Sequence, residues 1–185
     1  MSDDRLTWNL DTAAKHLANA MWRGPVAFKQ LRRHRWRVLQ PVEDPCRLYV
    51  GATGLEYAFG NDWESDGPSI PNLVCALFFE NREKYLKAGF LHDFGFKDGF
   101  LYVRNPDTGE DWRPLKVSKR DMDNLYCIGA ARLGASRTFT WVMQRGLSGR
   151  ASKIVWKRYR RMDGDPDEPS RELVEKHGFG PVEKA

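Results

Sequence analysis

The sequence predicts an α+β fold: a small antiparallel β meander packed with a helical region, in which two antiparallel helices carry a His/Asp cluster. Three observations predict it. Between Val26 and Phe59, short runs rich in β-branched and aromatic residues alternate with turn residues. Beyond Pro71 the apolar residues recur at helical rather than strand spacing. Finally, the string Lys87-Ala88-Gly89-Phe90-Leu91-His92-Asp93-Phe94-Gly95-Phe96 places two ionisable side chains in an apolar run, where burial is costly unless each finds a partner.

Taken in order, Asp11 or Thr12 can cap a first helix running through Leu17, Ala18 and Met21 to the Gly24-Pro25 break. Four extended runs follow, at residues 27–31, 36–39, 47–50 and 55–59, and these form the expected meander. The turn Asp66-Gly67-Pro68-Ser69-Ile70-Pro71 leads to a short apolar helix around Leu73 to Phe78 and a longer one from about Arg82 to Phe96. Residues 98 to 116 read as a β-hairpin inserted between two helices, because Asn105-Pro106-Asp107-Thr108-Gly109 separates two extended runs. Ser118 caps the next helix, with Asp121 placed to complete a capping box, and the pattern continues to Gly134. Another helix spans Arg137 to Leu147, and residues 151 to 161 extend the helical region.

A chain of 185 residues has enough length for one core, so a single globular domain is expected over residues 1–162. Residues 163–185 form an acidic, Pro/Gly-rich tail that cannot bury enough apolar surface to offset its ordering. No run of 18 apolar residues suggests a membrane span, and the acidic start Met1-Ser2-Asp3-Asp4-Arg5 lacks the layout of a secretory signal. Cys46, Cys75 and Cys127 are isolated and odd in number, which argues for buried thiols over a disulfide frame or zinc site. Charge is uneven: residues 137–161 carry eight Lys or Arg and no acid, a surface suited to nucleic acid, an anionic membrane or acidic neighbours in an assembly, and equally to an ordinary solvated helix face.

The chemistry concentrates on His92, Asp93, Asp123 and the Asp66 turn. On a helix His92 aligns with Tyr85, Ala88 and Phe96, and Asp123 aligns with Cys127, Ala130, Ala131 and Gly134. Small residues allow two helices to approach closely and bring Asp123 within reach of the imidazole. A carboxylate on one ring nitrogen raises the basicity of the other, the layout of a general base. Asp93, rotated by about 100° on the helix, faces another sector. There the carbonyls of a turn containing Asp66, Gly67 and Ser69 would make a hard-cation site, for which calcium is the natural ion. The same residues also fit a structural reading: His92 a satisfied core histidine, Asp93 paired with Lys87 or Lys97, the Asp66 turn an ordinary tight turn, and Asp123 a helix-dipole partner.

The strings Asp66-Gly67-Pro68-Ser69-Ile70-Pro71, Leu91-His92-Asp93-Phe94-Gly95-Phe96 and Ser118-Lys119-Arg120-Asp121-Met122-Asp123 resemble a domain-of-unknown-function family common in bacteriophages and prophages. Its pattern is roughly D-G-A-S-I-P, later H-D-Y-L-Y, later S-R-x-x-A-D, and the resemblance spans about residues 25 to 150, with Lys119 in place of the usual arginine. His92 to Phe96 is also similar to the H-D-F-G-Y string of small bacterial calcium-dependent phospholipases, with Phe96 where those enzymes have tyrosine. That similarity implies a general base at His92, an orienting carboxylate at Asp123 and a calcium ligand at Asp93. Two functions are therefore expected. The first is a bacteriophage virion or tail-associated protein with a His-Asp, calcium-binding centre, located in the virion or, during assembly, the host cytoplasm. The alternative is a phage-encoded esterase or phospholipase-like hydrolase acting on the host envelope. Partners are other virion or tail proteins and an anionic membrane surface; no specific nucleic acid is predicted.

Overall fold

Two antiparallel sheets and a set of helices make the fold α+β. The computed structural model describes residues 16–32, 35–41, 43–65 and 82–162. Its strands are β1 (Ala20–Arg23), β2 (Ala27–Arg32), β3 (Arg35–Leu39), β4 (Arg47–Val50), β5 (Leu55–Ala58), β6 (Glu64–Ser65), β7 (Phe100–Arg104) and β8 (Arg113–Lys116). The larger sheet has the order β1-β4-β5-β7-β8 and the smaller one β2-β3-β6. The four runs expected as one meander are thus divided: the β2–β3 hairpin belongs to the small sheet and the β4–β5 hairpin to the large one.

Two expectations are corrected. Residues 20–23 are not the end of a helix but β1, registered with Ala20 opposite Val50 and Trp22 opposite Leu48. Only residues 16–18 are helical in the described part of that segment. The pattern Ala20-Met21-Trp22 fits both periods, and the tertiary contact decides it: Ala20 is buried, Met21 is exposed, and Trp22 donates its indole N–H to the Gly129 carbonyl at 3.0 Å. Nor is the hairpin at 98–116 an excursion. Phe100, Leu101, Tyr102 and Val103 are buried, and β7 pairs with β5, which makes it the fourth strand of the main sheet.

The helices are α1 (Leu86–Asp98), preceded by a 3-10 turn at Arg82–Tyr85, then α2 (Lys119–Arg132), α3 (Arg137–Leu147) and α4 (Arg150–Met162). Gly99, with φ 83°, ends α1 in the left-handed region that glycine adopts without strain. Ser118 and Asp121 form the capping box that starts α2, and Ser136 caps α3 through Phe139 N. Contacts of α1 with α2 run in opposite chain directions, Gly95 by Met122 and Ala88 by Gly129, so the pair is antiparallel. Close approach depends on those glycines: a Cβ on Gly129 would lie 2.9 Å from Trp22 Cζ2, and one on Gly95 would overlap the Met122 sulfur.

The pair α1–α2 touches the large sheet at β7 and β1, and buries Leu48, Val50, Phe90, Leu91, Phe94, Leu101, Met122, Leu125 and Ile128. A second cluster joins α2 to α3 through Tyr126, Cys127, Ala130, Phe139 and Met143, with Tyr85 stacked on Phe139 at 5.2 Å. Helix α4 rests on α1, where Trp156 meets Phe96 edge-on at 4.9 Å. Among the described residues no helix is long and apolar enough to cross a membrane.

Candidate functional site

His92 lies near the middle of α1 and its ring is sandwiched, stacked on Phe96 at 5.2 Å and met edge-on by Tyr126 at 5.6 Å. Both ring nitrogens face carboxylates. Nε2 is 3.4 Å from Asp123 Oδ1, and Nδ1 is 3.5 Å from Asp93 Oδ1, both at the long edge of hydrogen-bond range. The three residues are buried, at 8%, 7% and 5% exposure for His92, Asp93 and Asp123.

The line of polar groups continues at both ends. Ser65 on β6 donates its hydroxyl to Asp93 Oδ2 at 2.6 Å. Lys119, in the first turn of α2, donates to Asp123 Oδ2 and to the Leu147 carbonyl, each at 2.6 Å. The order is therefore Ser65, Asp93, His92, Asp123, Lys119, with negative and positive side chains alternating when the imidazole is protonated. Burial, the largest influence on His92, opposes its charge. Hydrogen bonds to Asp123 and Asp93, together with their negative charge, outweigh it and hold His92 above the ordinary histidine value of about 6.5.

His92 and Asp123 are brought together through matched helix faces. Asp93 faces two ways: Oδ2 accepts from Ser65, next to the Asp66 turn, and Oδ1 lies 3.5 Å from the second nitrogen of His92. Asp66, Gly67 and Ser69, expected as calcium ligands, lie outside the described residues, as do Cys75 and the tail from residue 163. Ser65, which immediately precedes Asp66, sits on Asp93. Among the described residues no three His, Cys, Asp or Glu side chains are grouped as metal ligands. Cys46 and Cys127 are free and buried, and burial pushes the Cys46 thiol up to about 12, which leaves it inert.

Sequence reasoning missed three participants. Lys119 was detectable, because it stands four residues before Asp123 and such a spacing pairs opposite charges on one helix face. Ser65 had no local signal. The third is Glu56, wholly buried on β5, whose carboxylate meets Arg23 of β1 at 3.0 Å, Arg47 of β4 at 2.9 Å and Arg104 of β7 at 2.8 Å. The Arg47 Nε contact is an ion pair off the line of a hydrogen bond. Burial opposes the Glu56 charge, but the Arg104 hydrogen bond and the adjacent Arg47 guanidinium prevail and lower its pKa.

A solvent-open cleft of about 480 Å³ lies between α2, α3 and α4, lined by Lys119, Arg120, Asp123, Asn124, Gln144, Ser148 and Lys153. Asp123 thus faces the imidazole on one side and the cleft on the other. Comparison of the chain with protein-family models, with curated proteins and with solved structures gives no match.

Proposed function

We propose that this chain is a bacteriophage virion or tail-associated protein in which Asp93, His92, Asp123 and Lys119 form a structural charge chain. The biological role rests on the resemblance of the Asp66, His92 and Ser118 strings, in that order, to the phage family. One observation carries the role of the cluster: a carboxylate stands at each ring nitrogen of a buried histidine that titrates above its ordinary value. A general base needs an unprotonated nitrogen directed at water. Both His92 nitrogens instead face carboxylate acceptors, so the protonated ring can donate to each, an arrangement that ties α1, α2 and β6 together. Particles purified from a phage encoding this chain should contain it at fixed stoichiometry by mass spectrometry. Its absence from particles, with abundance in the lysate, would overturn this role.

A second reading follows from the His92–Asp123 pair. An esterase would use Asp123 on Nε2 to orient His92, with Nδ1, released from Asp93, as the base and the substrate on the Asp93 side. Calcium in that reading would sit on Asp93, which offers carboxylate oxygens beside the Ser65 hydroxyl. The purified chain should then melt higher in millimolar calcium than in chelator. Wild type should also hydrolyse a p-nitrophenyl ester, and His92→Gln should not. No hydrolysis and no calcium response leave the structural reading standing.

A further inference from the structure

The cleft between α2, α3 and α4 has a composition that the charge chain does not explain. Three cations line it, Lys119, Arg120 and Lys153, against one carboxylate, Asp123. That carboxylate is already engaged by His92 and Lys119. Arg120 and Lys153 are exposed, and among the described residues neither has a carboxylate partner. The helices behind them supply no counter-charge, since residues 137–161 contain no Asp or Glu. Two exposed cations lining one concavity can be matched by a doubly charged anion, and an arginine fork suits phosphate oxygens. The remaining lining is polar and neutral: the amides of Asn124 and Gln144 and the hydroxyl of Ser148. A volume of about 480 Å³ exceeds what a lone phosphate fills.

We propose that this cleft binds a phosphorylated polyol, with the phosphate on Arg120 and Lys153 and the polyol hydroxyls toward the exposed hydroxyl of Ser148. The site is independent of whether His92 acts in catalysis, since its charge comes from residues outside the histidine chain. The same chemistry is offered by a soluble sugar or glycerol phosphate and by the glycerol phosphate headgroup of an anionic lipid.

Isothermal titration of the full chain with glycerol 3-phosphate tests the proposal, with glycerol as the uncharged control. Wild type should bind glycerol 3-phosphate and not glycerol. Arg120→Gln and Lys153→Gln, both at exposed positions, should each weaken binding about tenfold, the loss of one charge-assisted hydrogen bond. Arg145→Gln is the control for diffuse charge: Arg145 lies on α3, over the Trp141 ring and outside the cleft lining. Its binding should match wild type. Equal weakening in all three variants would overturn the site in favour of general electrostatics, and no heat with millimolar ligand would overturn it outright. Vesicles of phosphatidylglycerol and of phosphatidylcholine separate the two sources. Sedimentation with phosphatidylglycerol alone, lost in the Arg120 and Lys153 variants and competed by glycerol 3-phosphate, supports the proposal with a lipid headgroup as ligand. Binding of the soluble phosphate without vesicle binding supports it with a free polyol phosphate.

Discussion

Asp123→Asn is nearly isosteric and removes one negative charge from between two positive groups, the His92 ring at 3.4 Å and Lys119 Nζ at 2.6 Å. Removing one partner of a buried ion pair costs about 3–5 kcal/mol, much of it the penalty of stranding the other charge. Lys119 keeps the Leu147 carbonyl and its side chain is 13% exposed beside the cleft, so the expected loss is at the low end, about 3 kcal/mol. For a chain of this size that is a fall in Tm of roughly 6–12 °C. The pH dependence carries more information than the size. Because His92 titrates higher folded than unfolded, its stabilising contribution is complete below about pH 6.5 and is lost as pH rises through the folded value. Asp123 supplies the largest of the influences that raise that value. The gap between wild type and variant should therefore be widest near pH 6 and shrink toward pH 9, leaving the Lys119 share. Urea titrations followed by circular dichroism at pH 6, 7.5 and 9 measure it. A gap below about 0.5 kcal/mol, or one constant across that range, would refute the charge-chain reasoning.

Glu56→Gln should cost about 3 kcal/mol, since three guanidinium groups lose one buried anion while two of them, Arg23 and Arg104, can turn toward water. Because the Glu56 pKa is lowered in the fold, its contribution is present above about pH 4.5 and disappears on acidification, so wild type and variant should converge at low pH in the same titration. Gly129→Ala should destabilise by about 1–3 kcal/mol despite the better helix propensity of alanine, because the new methyl meets Trp22 and Ala88; a stabilised variant by chemical denaturation would contradict the packing described. Cys46 and Cys127 should resist thiol reagents in the native chain and react in urea, as read by peptide mass spectrometry, and rapid native labelling of either would contradict its burial.

The helical half was legible because its signals are local. Ser118 and Asp121 announce the start of α2, and Arg137 to Leu147 is bounded by Ser136 and Ser148. The His92–Asp123 contact followed from two inward faces three and four residues apart. Strand runs were legible too, but not their assignment to two sheets, since pairing depends on distant partners: nothing near residue 57 announces β7, which is more than 40 residues away. Residues 20–23 went to a helix because alanine-rich sequence favours one, and the β4 ladder overrode that preference. The direction of Asp93 towards the segment before Asp66 was legible from its helical angle, but its second contact, with the adjacent imidazole, was not, because side-chain rotation lets neighbouring residues meet. Glu56 sits in an unremarkable alternating strand, and only the fold gathers arginines from residues 23, 47 and 104 around it.

That gathering makes Glu56 a register lock for the main sheet. Arg23 stands opposite Arg47, Arg104 stands opposite Glu56, and Arg47 occupies the diagonal site, so one carboxylate is shared by four adjacent strands. Side chains alternate with period two, and a slip of one residue in any of those strands turns its arginine to the opposite surface. A hydrophobic ladder tolerates such errors in part, because one apolar neighbour substitutes for another. A carboxylate with a fixed number of acceptor sites does not. Replacement of Glu56 should therefore show itself as slower refolding and more aggregation even where the final structure forms.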